Sequence, residues 1–420
     1  MMSETMTEAL DHDDGTDVRP VPRISLQAFC DTPEIYGVVD AASADRRFAK
    51  VHVKAHMGGI PAAVEFYGGA PTPNVIVVES RLGADRLLGE LDRLADVCDP
   101  GSKVVVVGHV NDIDLYRDLL RRGVSEYVVA PFGPIDFIRT VSRLYGDTQA
   151  KPLGRTIAFF GARGGVGSST VAHNVAWSMA RLFETDVALL DLDLPFGTAG
   201  LDFNQDPSQG IADAVYSSDR VDDVFIDRLL AKCDDHLNLL AAPATLEKSY
   251  DFSADAFGTI IDVTQKGVPT VVLDVPHMWT GWVRKVLTMA DEIVVVASPD
   301  LANLRNTKNI VDVLTAARPN DRPPHLVLNQ VNVPKRPEIK PAEFAAAIGR
   351  EAVAEIPFEP QLFGTAANNG QMIGEAAGKS EVAGMFDTVA NLVSGRSQNK
   401  RGKRGGLPPL LSKLLMKKSA

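Results

Sequence analysis

Hydrophobic and polar positions along the chain fall into two series of short apolar runs. The first series lies between about residues 23 and 146 and contains RISLQAFC, KVHVKA, NVIVVES, KVVVVGH and EYVVAPF, with helix-like stretches such as LYRDLLRRG between the last two. Continuous runs of β-branched residues are typical of parallel strands that are buried on both faces. The pattern therefore predicts a small doubly wound α/β domain over residues 23–147.

A second and longer series follows a segment, residues 148–154, that we predict to be a linker. It contains TIAFFGA, VALLDLD, LNLLAAP, TVVLDVP, EIVVVAS, HLVLNQV and AVAEIPF, again with helix-like stretches between them. Seven strands with intervening helices predict a larger α/β domain over residues 155–394. The length of 420 residues also favours two folded units.

Charge is concentrated at the two ends of the chain. Residues 1–22 contain six acidic and few large apolar side chains, so they bury too little surface to offset chain entropy, and we predict that they are disordered. Residues 396–420 contain eight basic and no acidic side chains. The whole chain has a net charge of −11, so residues 1–395 together carry a net charge of −19. The acidic body argues against broad or sequence-specific binding of nucleic acid by the domains.

The basic tail, residues 395–420, ends in a short amphipathic stretch. Leu410, Leu411, Leu414 and Leu415 share one face at helical spacing, with lysines near its edge. Two interpretations stay open: a solvated segment, or a weak anchor to a partner or membrane. Four leucines would hold a protein at a membrane only with help from dimerisation or anionic lipid.

Several classes of protein are disfavoured by what the chain lacks. No stretch approaches the 18 apolar residues that a membrane span requires, and Met1 to Pro22 has no apolar core of a secretory signal. The three cysteines, Cys30, Cys98 and Cys233, are far apart and form no CxxC pair, so disulfides, zinc and iron-sulfur clusters lack support. We expect a cytoplasmic protein.

One glycine-rich segment, GARGGVGSST at residues 161–170, stands between an apolar run and a helical pattern. Gly164, Gly165 and Gly167 allow backbone N–H groups to converge on an anion, and the start of a helix adds positive potential. In the usual phosphate-binding loop a lysine follows the last glycine, but this chain has Ser168 there. Ser169 takes the place of the hydroxyl that binds Mg²⁺ in such loops.

The segment resembles the deviant phosphate loop of the MinD/ParA superfamily of ATPases, in which an additional lysine precedes the glycine pair. Arg163 occupies that position. The resemblance implies that Arg163 reaches nucleotide phosphates across a dimer interface, a role for which a guanidinium is well suited. It also implies ATP and Mg²⁺ as cofactors, with the nucleotide held by Gly164, Gly165, Val166, Gly167, Ser168, Ser169 and Thr170.

Three later segments extend the resemblance to about 240 residues. LLDLDLPFG is similar to the family's first switch, which implies that Asp191 lies near Mg²⁺ and that Asp193 orients or activates the attacking water. VVLDVP is similar to its second acidic motif, which makes Asp274 an outer ligand of Mg²⁺. LVLNQV resembles the strand whose asparagine contacts adenine, here Asn329.

Loss of the loop lysine changes the expected chemistry. The lysine ammonium neutralises phosphate charge in the ground state and in the transition state, whereas the Ser168 hydroxyl offers only a dipole. We therefore expect nucleotide binding to persist on backbone N–H groups, Mg²⁺ and Arg163. Hydrolysis should be slower by orders of magnitude or absent.

The first domain resembles a response-regulator receiver in its strand pattern and in the stretch EYVVAPFGPIDFIRTV. The receiver's chemical residues are missing. Glu79 replaces the phosphoacceptor aspartate, Gly108 the hydroxyl residue and Ala130 the lysine, and only Asp31 remains of the acidic pair. This pattern favours a pseudo-receiver that serves as a docking or dimerisation surface rather than as a phosphorylation sensor.

The combination of the two domains resembles the CpaE/TadZ family of Tad (type IVb Flp) pilus assembly proteins. The segments ARGGVGSSTVAHNVAW and IPFEPQLFGTAANNGQMI are both similar to that family. The resemblance implies a homodimeric cytoplasmic factor that positions pilus secretion components at the inner membrane, commonly at a cell pole, with residues 396–420 as a peripheral membrane contact.

Two alternatives belong to other functional classes. An active MinD/ParA-type positioning or partitioning ATPase would share the fold, but it should keep the loop lysine and lack a pseudo-receiver. A dinucleotide-binding enzyme would use GARGGVG as its glycine turn and Asp191, about 20 residues further on, for the ribose. Arg163 stands where the second glycine of that turn belongs, and the later LDVP and LNQ segments also disfavour it.

Overall fold

Two sheets organise the chain. The computed structural model describes residues 18–146, 153–243, 245–247 and 250–395. The predicted tail from residue 396 and most of the predicted linker therefore lie outside the described residues, as do the first 17 residues.

The first sheet has five strands, all parallel, in the order β2-β1-β3-β4-β5. The strands are β1 (Ile24–Cys30), β2 (Val51–Met57), β3 (Val75–Glu79), β4 (Lys103–Gly108) and β5 (Glu126–Val129). The helices are α1 (Pro33–Ser43), α2 (Gly59–Tyr67), α3 (Ala84–Ala95), α4 (Ile113–Arg121) and α5 (Pro134–Tyr145). This is the flavodoxin-like order, so the α/β class and the receiver-like topology predicted for this domain are confirmed.

The second sheet has eight strands in the order β13-β12-β11-β6-β10-β7-β9-β8. The strands are β6 (Arg155–Gly161), β7 (Val187–Asp191), β8 (Ala231–Asp234), β9 (Leu237–Leu240), β10 (Thr270–Val275), β11 (Glu292–Ala297), β12 (His325–Val331) and β13 (Ala352–Pro357). All neighbours are parallel except β8 and β9. Seven of these strands were predicted. The eighth, β8, was missed because its sequence, AKCD, lies at the edge of the sheet and has no apolar run.

Helices cover both faces of this larger sheet. They are α6 (Ser168–Phe183), α7 (Ala199–Asp202), α8 (Ile211–Tyr216), α9 (Asp223–Leu229), α10 (Gly258–Gly267), α11 (Gly281–Met289), α12 (Leu301–Ala317), α13 (Pro341–Ile348), α14 (Pro360–Asn368), α15 (Ile373–Ala376) and α16 (Glu381–Val393). Helix α6 is buried along residues 171–180, since it packs between the sheet and α16. Across the described ranges no helix combines the length and the hydrophobicity needed to cross a membrane.

The core of the first domain includes residues from the N-terminal segment that we predicted to be disordered. Residues 18–22 were included in the predicted disordered segment, yet Val18 and Val21 are buried in the core of the first domain. The Val21 N–H donates to the carbonyl of Arg47 at 2.9 Å. The prediction rested on the average composition of residues 1–22, which is acidic and polar and gives little weight to two valines. Their burial holds residues 18–22 against the domain.

The two domains meet through a buried network of charges. Arg46, after α1, lies 3.0 Å from Asp291 and 2.9 Å from Asp321 of the second domain, and its side chain is 5% exposed. Arg47 reaches the same Asp321 at 2.6 Å. Burial acts to lower the pKa of Arg46, but Asp291 and Asp321 outweigh it and the net pKa is raised. The interface is therefore held by charges that are costly to leave unpaired.

We expect Arg46→Ala to lower the free energy of unfolding by about 3 kcal/mol, because it removes the ion-pair partner of Asp291 and one of the arginines that pair with Asp321 in a water-poor interface. Urea denaturation followed by tryptophan fluorescence measures this, since all three tryptophans belong to the second domain. Arg121→Ala is the matched control: its pair with Asp118 is exposed, so its removal should cost less than about 1 kcal/mol. Equal losses in the two variants would contradict a stabilising role for the interface network.

Candidate functional site

The loop between β6 and α6 is held by its carbonyl groups. Four side chains from outside the loop donate to them: His277 Nδ1 to Gly161 at 2.8 Å, Asn306 Nδ2 to Ala162 at 2.9 Å, Gln330 Nε2 to Gly165 at 3.0 Å and Asn329 Nδ2 to Val166 at 2.8 Å. In a planar trans peptide the N–H points opposite to the C=O. The carbonyls that are tied outward therefore turn the N–H groups of Arg163, Val166 and Gly167 away from these side chains.

The N–H groups of residues 163–167 have no acceptor among the described residues. Backbone N–H groups are normally paired with an acceptor. A run of unpaired N–H groups around a concave loop is therefore a candidate site for binding an anion. The loop leads directly into the N-terminus of α6, which adds its own unpaired N–H groups and the positive end of the helix dipole. This arrangement fits the phosphates of a nucleotide.

Two residues at the end of the loop support the same fit. Gly167 has φ of +82°, and a Cβ there would lie 2.5 Å from Asn329 Nδ2. Only glycine therefore allows the Asn329 side chain to approach the loop and brace it through its hydrogen bond to Val166. The Ser168 hydroxyl, at the lysine position, is buried and has no hydrogen-bond partner among the described residues. A buried hydroxyl without a partner is costly, and a phosphate oxygen would satisfy it.

The other predicted loop residues lie at the surface of this cradle. Ser169 and Thr170 form the first turn of α6 and are partly exposed. Arg163 is exposed and forms no ion pair within the described part of the chain. Its guanidinium is therefore available to a group outside this chain, as the sequence prediction requires.

Asp191 and Asp274 stand side by side at the carboxyl ends of β7 and β10. The two are register partners in the sheet, and both are buried. Burial and the neighbouring Asp274 raise the pKa of Asp191 to about 7. Its carboxylate accepts from the N–H groups of Asp193 at 3.1 Å and Ala199 at 3.2 Å, which fixes the following loop around it.

Asp193, predicted to orient water, caps the turn that follows β7. Its Oδ1 accepts from the Phe196 N–H at 3.2 Å, and its carbonyl accepts from the Gly197 N–H at 2.6 Å. Burial raises its pKa. In this conformation Asp193 shapes the loop. Its role toward water stays a prediction.

His173 was not predicted, although it lies on the inner face of α6 and contacts Asp274. Its Nδ1 is 2.7 Å from Asp202 Oδ2 and its Nε2 is 3.2 Å from Asp274 Oδ2. Burial acts to lower its pKa, but the two carboxylates outweigh burial and raise it to about 10. The chain thus supplies its own buried cation to the acidic pair. The signal in the sequence was a single histidine within the apolar stretch VAHNVAW.

The predicted Mg²⁺ set combines one hydroxyl, Ser169, with the carboxylates of Asp191 and Asp274. Among the described residues no group of three or more His, Cys, Asp or Glu side chains could hold a metal ion. The predicted set is compatible with Mg²⁺ nonetheless, because this ion commonly takes one or two carboxylates and fills its octahedron with phosphate oxygens and water. The bound ion would neutralise charge at the phosphates.

A small cavity of about 150 Å³ opens beside the end of the loop. It is lined by Gly167, Thr170, Asn329, Gln330, Pro357, Phe358, Glu359, Pro360 and Phe363. Two aromatic rings and prolines next to a phosphate cradle suit a flat nucleobase. The Asn329 amide nitrogen already donates to Val166 and its oxygen accepts from the Gln330 N–H, so Asn329 holds the loop, and its predicted contact with adenine remains a prediction.

In the first domain, Glu79 occupies the phosphoacceptor position and is fully buried. Its carboxylate accepts from the N–H groups of Asp31 at 2.8 Å and Thr32 at 2.9 Å, and from the Thr32 hydroxyl at 2.8 Å. The ring of His109 lies 2.9 Å from its other side. All of these partners come from the domain itself, which supports the pseudo-receiver interpretation.

The neighbouring position, Gly108, is closed in a similar way. A Cβ at Gly108 would clash with the ring and hydroxyl of Tyr127, which is buried and donates to the carbonyl of Val110 at 2.8 Å. The ring fills the space beside the strand end. A hydroxyl side chain, as receivers carry at this position, would not fit with Tyr127 in place.

Comparison with known proteins places these two sites in a family. No family model matches the chain. The crystal structure of the pilus assembly protein CpaE from Caulobacter crescentus is 52% identical, over 31% of this chain and 98% of that one, with a TM-score of 0.30. The sequence identity, rather than the superposition, decides the assignment. The chain belongs to the CpaE family.

Other solved structures share the fold of the larger domain of this CpaE family protein. A ParA family ATPase from Chlorobium tepidum is 25% identical, with a TM-score of 0.52, over 56% of this chain and 98% of that one. The septum site-determining protein MinD from Pyrococcus horikoshii, solved with Mg-ADP, is 18% identical, with a TM-score of 0.52, over 61% of this chain and 100% of that one. The predicted MinD/ParA fold is confirmed.

Curated relatives agree over a shorter stretch. The septum site-determining protein MinD of Synechocystis is 28% identical over 167 residues, which is 39% of this chain. The chain spans about 60% of the length of such relatives.

The His173 cluster predicts a dependence of stability on pH. A pKa raised from 6.5 to about 10 means that the folded state keeps a proton which the unfolded state loses, so this contribution is complete below pH 6.5 and disappears as pH rises toward 10. We expect wild-type stability to fall by up to about 1.4 kcal/mol per pH unit in this window, and His173→Gln to show a flatter profile.

Urea denaturation between pH 8 and 9.5 tests this, about one pH unit or more above the Asp191 pKa of about 7. His236→Gln is the control, because His236 pairs with Asp186 at an exposed position. If wild type and His173→Gln gave parallel profiles, the assignment of a buried cation would be wrong.

Proposed function

We propose that this CpaE family protein is a nucleotide-binding, dimerising assembly and localisation factor for the Tad (Flp, type IVb) pilus secretion machinery, with weak or absent ATP hydrolysis. The observation that carries the proposal is the loop of residues 163–167, whose N–H groups have no acceptor among the described residues, while Ser168 replaces the lysine. The loop has the groups needed to hold a nucleotide and lacks the one that most promotes turnover.

The relatives support a role in assembly or positioning. The Caulobacter relative is a pilus assembly protein, and the Synechocystis and Pyrococcus relatives are septum site-determining proteins. The bound Mg-ADP of the Pyrococcus protein supports ATP and Mg²⁺ as the cofactors. We infer that this chain likewise acts by placing partners rather than by converting a metabolite.

The partners and the location follow from the same proposal. Secretion components at the inner membrane are the expected partners, and a cell pole is the expected place. The pseudo-receiver domain offers a docking surface, because Glu79 is committed to partners within its own domain. Residues 396–420 would add a weak peripheral contact with anionic lipid through their basic side chains.

An active MinD/ParA-type ATPase is the second candidate. It shares the fold, and the predicted residues Asp191, Asp193 and Asp274 all lie near the loop. Loss of the lysine disfavours an active ATPase, because no lysine lies in the described loop. His173 does not replace it, since this side chain contacts Asp274 from inside the core. The two candidates differ in turnover.

Ser168→Lys separates them. If the missing ammonium limits the reaction, the wild type should release phosphate near the background rate and Ser168→Lys should release it at least tenfold faster, since a charge contact to the transition state is worth that much or more. Phosphate release at saturating Mg-ATP is the measurement. Ser218→Lys, at an exposed serine of the same domain, is the control for added charge. Wild-type turnover at the level of ordinary phosphate-loop ATPases would favour the second candidate.

Arg163 provides a test of dimerisation. Its exposed, unpaired guanidinium should contact the nucleotide of a second subunit, so Mg-ATP should convert a monomer to a dimer. Arg163→Ala should weaken that dimer by about tenfold or more, whereas Arg220→Ala, at an exposed arginine elsewhere in the domain, should not. Light scattering with and without Mg-ATP measures the mass. A wild-type monomer in both conditions, with no nucleotide bound by calorimetry, would exclude the proposal.

A further inference from the structure

His277 stands at the loop but has no assigned role beyond its hydrogen bond. It follows β10 by two residues and is exposed, with its ring tilted against Phe160 at a centroid distance of 5.9 Å. Its Nδ1 donates to the Gly161 carbonyl at 2.8 Å, because a carbonyl can only accept. The hydrogen bond at Nδ1 fixes the orientation of the ring, and so it also fixes the position of the opposite edge, which carries Nε2 and Cδ2.

The other edge of the ring lies beside Gly164. His277 Cδ2 is 3.8 Å from the position that a Cβ would take at Gly164, and Nε2 is the next atom along that edge. The N–H groups of Arg163, Gly164 and Gly165 have no acceptors among the described residues, so an anion bound to them would lie beside this edge.

The two ends of the loop differ in their surroundings, and this difference indicates which part of a nucleotide would lie beside His277. The cavity that suits a base opens at Gly167 and Thr170, at one end of the loop. His277 and the acidic pair of Asp191 and Asp274 lie at the strand ends of β10 and β7, toward the other end. A nucleotide whose base fills the cavity therefore extends its terminal phosphate toward Gly164 and His277.

We propose that His277 contacts the terminal phosphate of a bound nucleoside triphosphate through Nε2 and so allows the site to distinguish a triphosphate from a diphosphate. With Nδ1 committed to Gly161, Nε2 is the ring nitrogen left to meet a phosphate oxygen, and it donates when both ring nitrogens carry a proton. The inference rests on the proposed nucleotide binding.

A pair of variants separates this contact from the brace. His277→Asn keeps an N–H for the Gly161 carbonyl and removes Nε2, whereas His277→Ala removes both. We expect His277→Asn to bind Mg-ATP about tenfold more weakly and Mg-ADP within about twofold of the wild type, as loss of a charge-assisted hydrogen bond predicts. His277→Ala should bind both nucleotides more weakly, because the loop loses one of its four braces.

Isothermal calorimetry of the full chain with Mg-ATP and with Mg-ADP gives both affinities. His236→Asn is the matched control, at an exposed histidine of the same domain that pairs with Asp186. Equal affinities of His277→Asn and wild type for Mg-ATP, or equal losses for ATP and ADP, would overturn this inference and leave the proposed function standing. Absence of nucleotide binding by the wild type would overturn both.

Discussion

Four side-chain donors that hold the loop carbonyls outward decide what the loop after β6 can do. They reach it because of the strand order: β6 lies between β10 and β11, so the segment after β10 brings His277 to one side and α12 brings Asn306 to the other. The next strand, β12, supplies Asn329 and Gln330. Three of these bonds orient the N–H groups of Arg163, Val166 and Gly167, whereas the Ala162 N–H beside the Gly161 carbonyl donates to Val296 at 2.8 Å.

Charge in this site centres on the buried acidic pair and on the histidine that contacts it. Asp191 and Asp274 are buried side by side, which the protein tolerates because Asp191 takes up a proton more readily and because His173 pairs with Asp274. That cation lies inside the core, between α6 and the sheet, and so it stabilises the acidic pair without facing the cradle. With Ser168 in the lysine position, the loop offers backbone N–H groups, the Ser168 hydroxyl and the exposed Arg163, and no ammonium follows its last glycine.

The elements of this fold could be predicted because parallel strands buried on both faces must be apolar throughout, and twelve such runs stand out. Strand β8 lies at an edge and carries Lys232 and Asp234, so it has no such run. The acidic residues Asp191 and Asp274 were predictable because each ends an apolar run. The braces were not, since Asn306 and Gln330 lie more than 140 residues from the loop and their amides carry no local pattern. His173 was hidden for the same reason: its partners belong to other elements.

The link between the two domains follows from the same geometry. Helix α11 begins at Gly281, four residues after His277, and ends at Met289, whose carbonyl accepts from Arg46 of the first domain at 3.2 Å. One nine-residue helix therefore connects the brace of the phosphate loop to the buried charges of the interface. The two domains cannot separate without removing Arg46 from Asp291, which costs free energy because both side chains are largely buried. The first domain, closed around Glu79 and Tyr127, is thus fixed to the domain that holds the phosphate loop, and a partner docked on it, as we propose, would be carried with the other domain.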